Sequence, residues 1–309
     1  MTERLASDES GIEHAVQLLR AGQLVAVPTE TVYGLAARAD SEDAVAEIYR
    51  AKGRPSFNPL ISHVASVEMA RRLAQFDNRA ERLAAHFWPG PLTLVLPLRE
   101  GSGVVPAVTA GLPTIALRMP AHPVTQELLR RLDLPLAAPS ANRSMGISPT
   151  SADHVASTLD GRIAAILDGG TCPRGLESTI VALRKDGAWS LLREGPITRE
   201  ELELFLGCTP VDAGKGVEAP GQMVRHYSPG KPVRLDASVA GEDEFLIGFG
   251  EALGHCSLSE QGDLAQAAAR LYACLHEAAA SPLPRIAVAH IPQEGIGAAI
   301  CDRLKRAAA

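Results

Sequence analysis

Apolar residues recur along this chain with two periods, one near 3.6 and one of two, and the changes between them mark its elements. Ile12, Ala15, Val16 and Leu19 share a helical face after Ser10 and Glu13, which have capping-box spacing, and Gly22 ends that helix. Leu24–Val27 is the first strand. Ser41 caps a second helix, with Glu42 and Asp43 in its first turn, that stops at Gly53. Leu60–Val64 reads as a strand and Val67–Phe76 as a helix. Asp77 caps a further helix to Phe87, which Trp88-Pro89-Gly90-Pro91 ends. Leu92–Leu98 and Thr114–Met119 are strands around a Gly/Pro/Val loop, the first ending at Pro97 and the second placing Thr114, Ala116 and Arg118 on one face. Pro123 opens a helix to Leu132, and the short strand Leu136–Pro139 delivers Ser140-Ala141-Asn142 at its end. Ser151 caps a helix to Leu159, and Ile163–Leu167 is a strand. Ser178–Leu183 and Trp189–Arg193 flank an Asp186-Gly187 turn, a hairpin signal, and Thr198 with Glu201 opens a helix to Gly207.

Strands alternating with helices and then a late hairpin predict a mixed α/β domain with a twisted sheet over residues 1–207. Periodicity fails from 208 to 230, a linker whose glycines and prolines are interrupted by Arg225-His226-Tyr227, residues a plain spacer does not need. Phe245–Phe249 and Arg285–Ile291 then read as strands, and Leu264–Ala279 and Ile296–Arg306 as helices. They predict a smaller α/β domain over 231–309.

Composition narrows the function classes. A net charge of −6 argues against a protein that coats nucleic acid non-specifically. Five cysteines without a CxxC pair read as reduced thiols of an intracellular protein. The polar start MTERLASDES is no signal peptide, and no apolar run has membrane-spanning length, so no membrane contact and a cytoplasmic location are expected.

The chemistry is first defined by exclusion. GxxxxGK[ST], HExxH and GxSxG are all absent, which argues against a P-loop, a zinc site and a serine-hydrolase elbow, and no metal ligands are assigned. Gly248, Gly250 and Gly254 have the wrong spacing for a dinucleotide fingerprint. The stretch 27–63 stands out instead, because Thr31, Lys52, Arg54, Asn58 and His63 gather at element ends, where a scaffold presents side chains to a ligand. Arg118, Arg193, Thr114, Ser140, Asn142, Ser148 and Ser178 also fall at strand ends or in loops. Guanidinium forks with neutral donors suit phosphate and carboxylate groups, although exposed arginines singly are most often just solvated.

The strings PTETVYGL (28–35), KGRPSFNPL (52–60), WPGPLTLVL (88–96), TIALRMPAHP (114–123), PSAN (139–142) and LESTIV (176–181) closely resemble the YrdC-like family. With RHYSPG (225–230) and the two helical strings of the tail, the chain is similar to its long, two-domain threonylcarbamoyl-AMP synthases. The resemblance implies a YrdC-like twisted mixed sheet with helices, plus a smaller, Rossmann-like C-terminal α/β domain. It implies a nucleotidyltransferase joining L-threonine, bicarbonate or CO2 and ATP into threonylcarbamoyl-AMP and pyrophosphate. A downstream transferase complex would pass the threonylcarbamoyl group to an adenosine of ANN-decoding tRNAs, and weak RNA binding fits the same picture.

Carried over residue by residue, Lys52, Arg54, Ser140 and Asn142 form the implied catalytic tetrad. Thr31, His63, Arg118, Ala138 and Ser178 would hold threonine, Arg118 through its carboxylate. Arg54, Asn58, Thr114, Ser140, Ser148 and Arg193 would hold ATP under Tyr227 of the linker, with Mg²⁺ bound through the phosphates. One loop departs from the family pattern: in RSMGISPT, Met145 takes the place of a glycine and Gly146 that of a basic residue. The competing readings are a related hydrogenase-maturation protein, a non-catalytic RNA-binding module, and a paralogue that keeps the fold without the substrate.

Overall fold

The computed structural model describes residues 1–214, 216, 218–220 and 226–309, so Arg225 of the expected lid lies outside the described residues. Ten strands make one mixed sheet: β1 (Glu3–Ala6), β2 (Val25–Val27), β3 (Gly34–Arg38), β4 (Ile61–His63), β5 (Leu92–Pro97), β6 (Thr114–Arg118), β7 (Leu136–Ala137), β8 (Ala165–Asp168), β9 (Thr179–Leu183) and β10 (Trp189–Arg193). Their order is β1-β8-β2-β3-β7-β4-β6-β5-β9-β10. Between them run α1 (Glu9–Arg20), α2 (Glu42–Lys52), α3 (Val67–Leu73), α4 (Asn78–Phe87), α5 (Pro106–Thr109), α6 (Pro123–Leu132) and α7 (Ala152–Leu159), with α8 (Arg199–Leu206) after the hairpin. A second, parallel sheet in the order β11-β14-β12-β13 follows, from β11 (Val233–Arg234), β12 (Glu244–Gly248), β13 (Cys256–Ser257) and β14 (Arg285–Val288), with α9 (Leu264–Ala280) and α10 (Ile296–Ala308).

Side-chain caps fix most helix starts: Ser41, Asp77, Ser151 and Thr198 each accept a first-turn backbone N–H. At the start of α1 the expected pair gives way to Asp8, which accepts from Gly11 N, while Ser10 turns inside the helix and donates to the same carboxylate. An aspartate just before the first turn is the stronger cap because it also meets the helix dipole. Strands β1 and β3 were not expected. Residues 34–38 (GLAAR) lack the β-branched signal, and neighbouring strands hold them in place. Helix α3 stops at Leu73 rather than Phe76, because extended Ala74 bridges to Leu98. The loop over 99–112 contains the one-turn α5.

Three apolar clusters pack helices on the sheet: α1 and α6 over Val25 and Val27, α2 and α7 over Leu35 and Ile166, and α3 and α4 over Leu94 and Leu117. A fourth patch, Ile61, Val95, Ala116, Ile180 and Ala182, is covered by Ala219 of the linker. A further cluster joins the two units, since Val32, Ile147 and Leu176 bury against Leu271, Tyr272 and Ile300. Gly175 makes this docking possible. At φ +67°, a Cβ there would lie 2.4 Å from the carbonyl oxygen of Ala268 in α9.

Candidate active site

The parallel strands β4 and β6 set the first wall of the site. His63 and Arg118 are register partners at their ends, so both side chains leave the same face of the sheet. Arg118 is buried and half engaged: its Nη2 donates to Glu30 Oε1 at 2.6 Å and its Nε to Gly90 O at 3.2 Å. Ala121 N holds the other oxygen of Glu30 at 2.9 Å. His63 is 4 % exposed, and neither ring nitrogen has a hydrogen-bond partner of good geometry among the described residues. Burial, and then Arg118, push its pKa down to about 3, so the ring is neutral. A buried imidazole with two idle nitrogens calls for a ligand.

The second wall comes from β9 and β10. A register shift between Leu191 and Arg193 turns the arginine inward, the usual effect of a bulge. Arg193 then donates through Nε to Ser178 O and through Nη2 to Ser178 Oγ, both at 3.0 Å. Thr93 of β5 meets the same hydroxyl at 2.7 Å.

The loop after β7 makes the third wall. Lys52, the last residue of α2, is fully enclosed and runs its Nζ to Ser140 O and to Asn142 O, the latter at 2.6 Å. Its own carbonyl accepts from Ser144 N at 2.8 Å. Burial, and then Arg54, hold its pKa well below the usual lysine range. Ser140 Oγ donates to Asn142 Oδ1 at 2.6 Å, and Asn142 Nδ2 donates to Arg143 O and Gly146 O at 2.9 Å. Arg54 follows the left-handed cap Gly53 and reaches back to Asn58 O and Pro59 O at 3.3 and 2.9 Å. Burial lowers its pKa to about 10, so it remains a cation at neutral pH.

These walls line a cavity of about 50 Å³, to which Pro220, His226 and Tyr227 of the linker also contribute. Of the residues singled out from sequence, Arg54, His63, Arg118, Ala138, Ser140, Ser178, Arg193 and Tyr227 line it. Lys52 and Asn142 stand directly behind Ser140. Thr31 lies behind Thr29, its hydroxyl 2.8 Å from that of Thr29, which itself faces the cavity. Ser148 sits behind Glu177, to which it donates at 2.5 Å. Asn58 supplies the carbonyl under Arg54, and Thr114 lies at the far end of β6 from Arg118.

Sequence reasoning gave no role to Glu30, Glu177 or Thr29. Glu30 and Glu177 stand in the strings PTETVYGL and LESTIV, and a carboxylate in a largely apolar or hydroxylated run is itself a signal of a paired buried charge. Among the described residues no three His, Cys, Asp or Glu side chains cluster as metal ligands. Glu177, which lines the cavity, is engaged by Ser148, Tyr272 and Arg303. No described helix is long and apolar enough to cross a membrane.

Comparison with known proteins agrees with this geometry. A family profile described as "Telomere recombination" matches residues 17–195, and one described as "Threonylcarbamoyl-AMP synthase, C-terminal domain" matches residues 197–309. The chain is 40% identical to a threonylcarbamoyl-AMP synthase of Bacillus subtilis, covering all of this chain and 96% of that one. It is 41% identical to the synthase of Pyrococcus abyssi, over 97% of this chain and 94% of the other. A crystal structure of P. abyssi Sua5 complexed with L-threonine superposes with a TM-score of 0.91 at 36% identity, covering 100% of this chain and 97% of that one. Two-unit architecture, a matched profile in each unit and full-length identity together place this chain in the threonylcarbamoyl-AMP synthase family.

Proposed function

We propose that this chain condenses L-threonine, bicarbonate or CO2 and ATP to threonylcarbamoyl-AMP and pyrophosphate. The observation that carries the reading is His63, neutral and without a hydrogen-bond partner among the described residues, beside Arg118 in a cavity also lined by the cations Arg54 and Arg193. Such a cavity suits an amino acid on one side and a polyphosphate on the other. Arg118, with Glu30 holding one side of its fork, would take the threonine carboxylate. Thr31, His63, Ala138 and Ser178 would complete that pocket, and the neutral ring of His63 can accept a hydrogen bond from the threonine hydroxyl or amine.

Arg54, Asn58, Thr114, Ser140, Ser148, Arg193 and Tyr227 would hold ATP. The threonine amine captures CO2, the carbamate oxygen attacks the α-phosphorus, and pyrophosphate leaves with the bond electrons. This step needs alignment and neutralised charge more than a dedicated base. Lys52 shapes the Ser140–Asn142 loop by donating to its carbonyls, while Arg54 and Arg193 face the phosphates. Magnesium entering with ATP would be held by phosphate oxygens and water, since Glu177 is already engaged, and it would supply charge neutralisation there. We read 1–207 as the catalytic domain, 208–230 as the lid and 231–309 as its support. Closure of the lid over bound ATP would exclude water from the labile adenylate. A separate transferase system would carry the threonylcarbamoyl group to tRNA.

Pyrophosphate release from ATP, measured with bicarbonate and Mg²⁺ across the twenty amino acids, tests this reading. Release at least tenfold faster with threonine than with serine or valine is expected. Equal rates with all amino acids would refute it.

A further inference from the structure

Among the described residues, the C-terminal unit meets the active site most closely at one carboxylate. Glu177 is 6 % exposed, lines the cavity, and belongs to the catalytic unit. Yet two of its three side-chain hydrogen-bond partners among the described residues come from the other unit. Tyr272 of α9 donates at 2.8 Å and Arg303 of α10 donates through Nε at 3.0 Å. The third partner is Ser148. Arg303 is completely enclosed, and its remaining nitrogens are committed to Asp302 Oδ2 at 2.8 Å and Glu194 O at 2.7 Å. Its guanidinium also lies 5.5 Å from the centre of the Tyr227 ring, and Tyr227 stacks on Tyr272 at 5.6 Å between centroids. His276 of α9 adds a contact at 3.2 Å to the carbonyl of Ser148. Ser148 is therefore gripped at both its hydroxyl and its carbonyl by groups that depend on α9 and α10.

The threonine side is held differently. Arg118 is set by Glu30 and Gly90, and Ser178 by Thr93 and Arg193, all within the catalytic unit. We propose that Tyr272 and Arg303 are positioning residues for the nucleotide: by fixing Glu177, they set Ser148 and the Tyr227 ring for ATP, not for threonine. This rests on the assignment of Ser148 and Tyr227 to ATP made above. A fully committed guanidinium under an aromatic lid is a rigid platform, because burial and fork geometry leave it no second arrangement. The role of the C-terminal unit is then to shape half of the active site.

The test uses the full chain, with calorimetric titration of ATP and of L-threonine in separate runs. Tyr272→Phe removes one hydroxyl from the hub and keeps the ring, so it should fold. It is expected to weaken ATP binding about threefold and to leave threonine binding within twofold. Arg303→Lys should weaken ATP at least tenfold with the same selectivity, because a point charge cannot serve Glu177, Asp302 and Glu194 O together. If that variant fails to fold, Tyr272→Phe and Glu177→Gln carry the comparison. ATP affinity unchanged in Tyr272→Phe and Glu177→Gln, or equal losses for both ligands, would overturn the proposal. A wild-type chain that binds ATP but turns over with another amino acid would overturn the threonine reading and leave the ATP split in the variants intact.

Discussion

Met145 has a backbone φ of +70°, a region where most side chains crowd their own backbone, and it takes the place that the family resemblance gives to a glycine. Its carbonyl accepts from Ser228 N at 2.8 Å, and Gly146 bridges Ser228, so the strained turn seats the end of the linker. The turn is kept because that docking fixes it. Met145 therefore holds this backbone shape at a cost in strain. Met145→Gly is expected to stabilise the chain by about 0.5–1 kcal/mol, with part of the strain relief offset by a freer unfolded chain. Thermal unfolding checks this: a higher Tm is expected, and a lower one would mean the side chain, 44 % exposed, contributes packing that outweighs the strain. Gly146 has an ordinary φ, and a Cβ there would meet neighbours only at 3.4 Å or beyond, so the turn does not require glycine at that place.

Between elements, α9 meets α7 through two histidines. His276 stacks on His154 with centroids 3.9 Å apart and planes 17° from parallel. Burial, and then His154, push the pKa of His276 down to about 4, and burial also lowers that of His154. Both folded values lie below the unfolded value near 6.5, so the folded state prefers the neutral rings. Their contribution is fully present above about pH 6.5 and is lost as pH falls toward 4. His63 and His226, each pushed down to about 3, act in the same direction. Tm should fall between pH 7 and pH 5, and His276→Phe should shrink that fall by roughly 2–4 °C. An identical pH profile in the variant would show that the stack does not couple to folding. Element identity was mostly legible where side chains acted locally, as at the caps Ser41, Asp77, Ser151 and Thr198. It was not legible for β3, whose small residues become a strand only because β2 and β7 flank them.

At the scale of the whole molecule, the same division holds for the site. The residues that line the cavity stood at element ends and in distinctive strings, so Arg54, His63, Ser140 and Arg193 could be named from sequence. What sequence could not give was which residues stand behind them. Glu177 becomes a hub only because α9 and α10, about a hundred residues later, bring Tyr272 and Arg303 to it. That arrangement depends on Gly175 admitting α9 at close range, a tertiary fact without a local signature. The burial that docks the units also sets the electrostatics. Burial alone would raise the pKa of Glu177, but Arg303 and then Arg193 hold it down at about 2, so the hub stays ionised across the working range.

The central claim is that one cavity joins threonine, a one-carbon unit and the adenylyl group of ATP. Mass spectrometry of the product formed from ¹³C-bicarbonate, L-threonine and ATP tests it most directly. The expected product is an adenylate carrying threonine and a single ¹³C, formed in step with pyrophosphate; an unlabelled threonyl-adenylate, or pyrophosphate with no such adduct, would contradict that claim.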